Sequence, residues 1–113
     1  MNDCLFCKIA SGEIAANIIY QDDSVIVFDD IRPQAQYHKI IIPRRHIATA
    51  NDIHEDSELV GHMMVVATIV AKELGIAEKG YRLVMNCNKD GGQTVFHIHI
   101  HLLGGRSLTW PPG

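Results

Sequence analysis

Apolar and polar residues follow two rhythms along this chain, and the change from one to the other marks out the elements. Short apolar runs at 17–20 and 24–29 flank Gln21-Asp22-Asp23, which predicts a β-hairpin. Ile31-Arg32-Pro33-Gln34 reads as a turn, and 37–42 as a further strand ended by Pro43. The rhythm then lengthens. Leu59, Met63, Val66, Val70 and Leu74 recur at steps of three and four and share one helix face. Asp56 or Ser57 suits the start of that helix, and Gly75 suits its stop. Residues 81–86 return to strand character, Asn88 to Gly92 form a turn, and 94–103 make the last strand, broken by Gly104-Gly105. A short helix over 4–10 is stopped by Ser11-Gly12, and Pro111-Pro112-Gly113 carries no regular structure. This order predicts an α+β domain over 1–113. It comprises an antiparallel five-stranded sheet with one long and one short helix, both on one face.

Composition narrows the picture. The 113 residues are 47% hydrophobic and 20% charged, an ordinary balance for one globular domain with a small core. Pairing with a second copy would bury more apolar surface. The net charge is −3 with no basic run, which argues against a nucleic-acid polymer as ligand. The longest apolar run, 63–71, is too short to cross a bilayer. Asp3 sits where a secretory leader would be basic, so no signal peptide is expected. Three cysteines, two of them closely spaced, argue against a disulfide framework and for a reducing cytoplasm.

The chemistry concentrates in His97-Ile98-His99-Ile100-His101. On a strand the three imidazoles share one face at about 6.5–7 Å spacing, while Phe96, Ile98, Ile100 and Leu102 fill the other. Three readings are open from the residues alone: a solvated strand face, a metal site, or nucleophilic catalysis. A metal site needs further ligands and usually carboxylate supports, and no acidic residue adjoins the segment. Crowded imidazoles lower one another's pKa, and a neutral ring keeps a lone pair that can attack phosphorus. A neighbouring histidine can then protonate the leaving group. Just upstream, Gly91-Gly92 lets backbone N–H groups approach an anion, and Gln93 and Thr94 add side-chain donors. Alone, those glycines would be a plain hairpin turn.

His97-Ile98-His99-Ile100-His101-Leu102-Leu103 matches the pattern of the histidine-triad superfamily. The 30–35 segment, His38, Gly80-Tyr81-Arg82, Asn86, Gly91-Gly92-Gln93-Thr94, Gly104-Gly105-Arg106 and Trp110-Pro111-Pro112-Gly113 extend the match, so nearly the whole chain resembles its Hint branch. The resemblance implies a homodimer whose two sheets join. It also implies hydrolysis of purine nucleoside 5′-phosphoramidates, including aminoacyl or lysyl adenylates, through a nucleotidyl-histidine. No metal or cofactor is required for catalysis. His99 is then the nucleophile, and His101 assists departure of the amine. His97 and His38 form the relay that orients His99. Asn86, Gly92, Gln93 and Thr94 hold phosphate and ribose-side oxygens, and Asp30 takes the ribose hydroxyls. Phe6, Ile9, Phe28 and Ile31 wall the purine slot. Trp110 reaches the partner subunit's site.

The same resemblance implies, for some bacterial members, a structural zinc. Its ligands here would be Cys4, Cys7, His46 and His97, and two thiols without metal are the alternative. On its own His46 reads as surface loop, His54 as a loop residue without a partner in view, His62 as solvated helix face and Cys87 as a small packed residue. Thr94 stands where relatives often have serine, and Arg32 where serine is also frequent. Two other function classes compete: a nucleotide-binding regulatory protein with vestigial catalysis, and a metalloenzyme built on the histidine row.

Overall fold

The computed structural model describes residues 3–113. Five strands form one antiparallel sheet in the order β1-β2-β3-β5-β4. They are β1 (Ile18–Gln21), β2 (Val25–Asp29), β3 (Tyr37–Pro43), β4 (Tyr81–Val84) and β5 (Ile100–Gly104). Two α-helices, α1 (Leu5–Ala10) and α2 (Ser57–Glu73), pack against it. Among the described residues no helix is long and apolar enough to cross a membrane.

The helices lie on opposite faces, which corrects the expectation of one shared face. Val25 and Val27 of β2, Ile41 of β3, and Ile100 and Leu102 of β5 pack with Met63, Val66, Ala67 and Val70 of α2. The alternate residues Ile26, Phe28, Ile40 and Ile42 pack with Phe6 and Ile9 of α1. Period-two alternation therefore fills both faces, and β2 reads as a continuous apolar run because neither side meets water. Even without its side chain, Gly75 helps end α2. It takes φ +77°, and the N–H of Ile76 donates to the carbonyl of Ala71 at 3.1 Å. At the other end Asp56 makes no capping hydrogen bond; its carboxylate pairs instead with Arg45.

Two boundaries differ from expectation. The last strand begins at Ile100, not Thr94; before it, the Gln93 side chain and the Ile98 N–H donate to the carbonyls of Ala48 and Ile47, outside the ladder. Phe96 is consequently 48% exposed, not packed beside Ile98. β4 ends at Val84, two residues short of the expected Asn86.

Candidate active site

Strand parity builds the site. Ile100 and Leu102 face α2, so His101 faces the α1 side, where β3 also presents His38. The register sets Ile40 opposite His101 and Leu103 opposite His38, so the two histidines are diagonal neighbours. Their rings hydrogen-bond, with His38 Nε2 2.9 Å from His101 Nδ1. His99 precedes the ladder and stands edge-on to His101 at 5.0 Å between centroids.

Protons in this row are assigned by groups that can act in one sense only. The backbone N–H of Gln34 donates to His38 Nδ1 at 3.0 Å, so the His38 hydrogen sits on Nε2. Nε2–H then donates to His101 Nδ1, which leaves the His101 hydrogen on its outer Nε2. His99 Nδ1–H donates to the carbonyl of His97 at 2.8 Å, and His99 Nε2 keeps its lone pair. Burial lowers the pKa of both His38 and His99. Burial and the charges of His99 and His38 push His101 down to about 4. The carboxylate of Asp30, 3.4 Å from His38 Nε2, works against these shifts. At neutral pH the row thus sets an uncharged ring with a free nitrogen lone pair beside an uncharged N–H donor.

An open cleft of about 470 Å³ adjoins the row, lined by His38, His101, Asn86, Arg82 and Gly91, with Pro112 and Gly113 at its edge. Phe6 meets Phe28 at 5.5 Å and His99 at 5.0 Å, so α1 brings one expected slot residue against another, on β2, and against the expected nucleophile. Ile9 is buried beside them in the same cluster. Ile31 is 93% exposed, an apolar side chain without core contacts. Asp30 Oδ1 accepts from the N–H of Arg32 at 2.7 Å, which shapes the turn that carries Ile31.

Not every expected residue meets the cleft in the expected role. The Gln93 side-chain N–H₂ donates to the carbonyls of Ala48 and Val95, and its oxygen accepts from the N–H of Asn88. Its side chain therefore shapes the loop, and its donors are not aimed at a phosphate. Thr94 lines a neighbouring hollow of about 280 Å³ with Cys4, Leu5 and Phe96. Gly92 is exposed at φ +82°, on the turn after Gly91. Trp110 is 83% exposed.

His97 departs furthest from expectation. Its side chain takes no part in a relay with His38. Nε2–H donates to the carbonyl of Pro43 at 2.8 Å, and its contribution to His99 is a backbone oxygen. Its Nδ1 lone pair instead faces Cys4 Sγ at 3.3 Å, Cys7 Sγ at 3.5 Å and His46 Nδ1 at 3.3 Å. Cys7 Sγ is also 3.4 Å from His46 Nδ1. All four donor atoms lie within 4.8 Å of one another. A tetrahedral zinc with usual bond lengths sets N–N edges of about 3.3 Å and N–S edges of about 3.6 Å, so the donor set fits that ion. His46 is therefore no idle surface residue. Asp30, His38 and His101 also cluster, but the Gln34 N–H keeps a hydrogen on His38 Nε2, the atom a metal would need free.

Three features were missed in sequence. The backbone N–H of Gln34 and the carbonyls of Pro43 and His97 set the histidine tautomers, and backbone groups leave no trace in residue type. Arg82 lines the cleft while donating to the carbonyl of Thr109. His62 is not simply solvated, since its Nε2 lies 2.7 Å from Asp22 Oδ2.

A family model for the HIT domain matches residues 11–108. The chain is 52% identical over 107 residues to a purine nucleoside phosphoramidase of Escherichia coli, covering 94% of this chain and 90% of that one. A solved HIT family hydrolase from Legionella pneumophila shares 55% identity at a TM-score of 0.96, covering 98% of this chain and all of that one. A zinc-bound histidine triad family protein from Mycobacterium smegmatis shares 35% identity at a TM-score of 0.82, covering 92% and 76%. With the triad, the sheet order and these matches in agreement, this chain belongs to the HIT domain family.

Proposed function

We propose that this protein hydrolyses purine nucleoside 5′-phosphoramidates to a nucleoside monophosphate and an amine, with His99 as covalent nucleophile. One observation carries the reading: His99 Nδ1–H is held by the His97 carbonyl, so a buried, uncharged ring offers Nε2. In this reading Nε2 attacks phosphorus and the P–N bond breaks. His101 Nε2–H protonates the departing amine, while the hydrogen bond from His38 Nε2–H to His101 Nδ1 supports the ring that has given up its proton. Water then attacks the nucleotidyl-imidazolium, neutral His99 leaves, and the proton that the water loses returns to His101 Nε2. The name of the E. coli relative supports the substrate class.

Asp30 accepts from the ribose hydroxyls, and Phe6, Ile9, Phe28 and Ile31 enclose the purine. Asn86, which lines the cleft with His101, meets phosphate oxygens, with Gly92 on the adjoining turn. A symmetric homodimer completes the unit by joining two sheets. It is supported by β4 at the sheet's outer edge and by exposed Met64, Val65 and Ile69 on α2, and it brings Trp110 to the partner subunit's cleft. Zinc is the structural ion of Cys4, Cys7, His46 and His97; it clamps α1 to the catalytic segment and takes no part in the reaction.

The test is His99→Ala, assayed with a fluorogenic adenosine phosphoramidate. Turnover should fall by about 10⁴-fold or more while AMP binding persists. Mass spectrometry of wild type quenched with a slow substrate should find one nucleotidyl group on the peptide bearing His99. Near-normal turnover in the variant would falsify the covalent route.

A further inference from the structure

Cys4 and Cys7 are linked to the nucleophile through one shared histidine. The His97 ring faces both sulfurs, while its backbone carbonyl orients His99. Phe6 lies between the two cysteines in sequence, with its ring 5.9 Å from His97 and 5.0 Å from His99. The sulfur contacts form a polar link between the first turn of α1 and the catalytic segment.

We propose that Cys4 and Cys7 are a reversible oxidative modification site, whose disulfide unclamps α1 from His97 and so disorganises the purine slot and the nucleophile. This inference rests on the slot and zinc readings above. The geometry allows the bond. Cys4 caps α1, and its Sγ accepts from the N–H of Cys7 at 3.3 Å, so both sulfurs sit on one side of the first turn. Both thiols are half-buried, and the neighbouring His46 is exposed, so a small oxidant has access. The spacing is that of thiol pairs that cycle between dithiol and disulfide.

The oxidant is a peroxide. One sulfur attacks a peroxide oxygen and the O–O bond breaks, giving a sulfenic acid and one water. The second sulfur displaces that hydroxyl as a second water, and the S–S bond forms. The two sulfurs lose two electrons; hydrogen peroxide takes them with two protons, from the thiols or, where zinc holds the sulfurs as thiolates, from solvent, and becomes two waters. A disulfide sulfur is a poor zinc ligand, and His46 and His97 alone are too few for a closed tetrahedral site. The ion leaves, the link to the His97 ring is lost, and Phe6 is no longer held against His99.

The experiment treats the full-length, zinc-loaded, reduced protein with hydrogen peroxide and then with dithiothreitol plus zinc. Expected results are a Cys4–Cys7 disulfide by peptide mapping, zinc release to a chelating dye, and AMP affinity weakened by about tenfold in calorimetry, all reversible. The ¹⁵N signal of His99 Nδ1–H should broaden or vanish in the oxidised form. Cys87→Ser should behave like wild type. The double variant Cys4→Ser, Cys7→Ser should bind AMP weakly from the outset and ignore peroxide. The proposal is overturned if peroxide fails to join the two cysteines. It is equally overturned if the disulfide forms while AMP affinity and the His99 signal stay unchanged. Failure of the reduced protein to bind AMP would instead count against the phosphoramidate reading, and disulfide, zinc release and the His99 signal would still judge the thiol site.

Discussion

Acidification from about pH 7.5 to 5 should cost this fold stability, about 2 kcal/mol of it at His101. Its folded pKa is about 4 against an ordinary value of 6.5. Between those values the unfolded chain binds the proton and the folded chain does not. Stability from this ring is therefore complete above pH 6.5, declines as pH falls, and is fully lost near pH 4. The loss is about 2 kcal/mol by pH 5 and about 3 kcal/mol by pH 4. Burial lowers His38 and His99 in the same direction, so they add to it. Asp22 and Asp29 act elsewhere on the scale. Burial opposes their ionisation, but hydrogen bonds outweigh it and hold both below the usual carboxylate range. A domain of this size holds about 5–15 kcal/mol in all, so the effect is large. Guanidinium unfolding at a series of pH values and fixed zinc reads it directly. His101→Gln keeps an acceptor for His38 Nε2–H and should reduce the acid slope by about 1.4 kcal/mol per pH unit. A transition midpoint constant from pH 7.5 to 5, or an unchanged slope in the variant, would refute the assignment of these rings as buried and neutral.

Three further substitutions probe separate parts of the fold. Gly91→Ala would place a Cβ 2.4 Å from the carbonyl oxygen and 2.8 Å from the nitrogen of Cys87. Backbone cannot yield as a side chain does, so thermal melting should show a loss of about 1–3 kcal/mol, with weaker AMP binding by calorimetry. Phe6→Ala empties the contact among Phe28, His97 and His99. It should cost about 3–5 kcal/mol in denaturant unfolding and raise KM for a purine substrate more than its nucleoside-free analogue. Asp22→Ala removes the acceptor shared by the N–H groups of Ser24 and Val25, the Tyr20 hydroxyl and His62. It should destabilise the hairpin by about 1–3 kcal/mol while leaving kcat unchanged.

Much of the architecture was legible because local physics repeats. The three-and-four spacing of Met63, Val66 and Val70 placed α2, and each of these residues is essentially inaccessible. Alternation around His99 and His101 separated the imidazoles from Ile98 and Ile100 although only part of the segment is regular strand. The opposite placement of the two helices was not legible. Helix periodicity says which face is apolar but carries no sign for the side of a sheet. The buried run Val25 to Phe28 of β2 held the clue, since four consecutive apolar positions on a strand must be covered on both faces.

The amino-acid order by itself marked the candidate residues: three alternating histidines, a glycine turn before them, and a thiol pair separated by two residues. Tertiary structure decided what each one does. Gln34, Pro43 and His97 contribute backbone groups whose partners are remote in the chain or hidden by conformation, and those groups alone choose the proton positions. They make His101 the hydrogen-bond neighbour of His38 and turn His97 toward the cysteines. The physical reason is that a side chain's identity is local, whereas an imidazole's tautomer depends on what the rest of the fold brings to its two nitrogens.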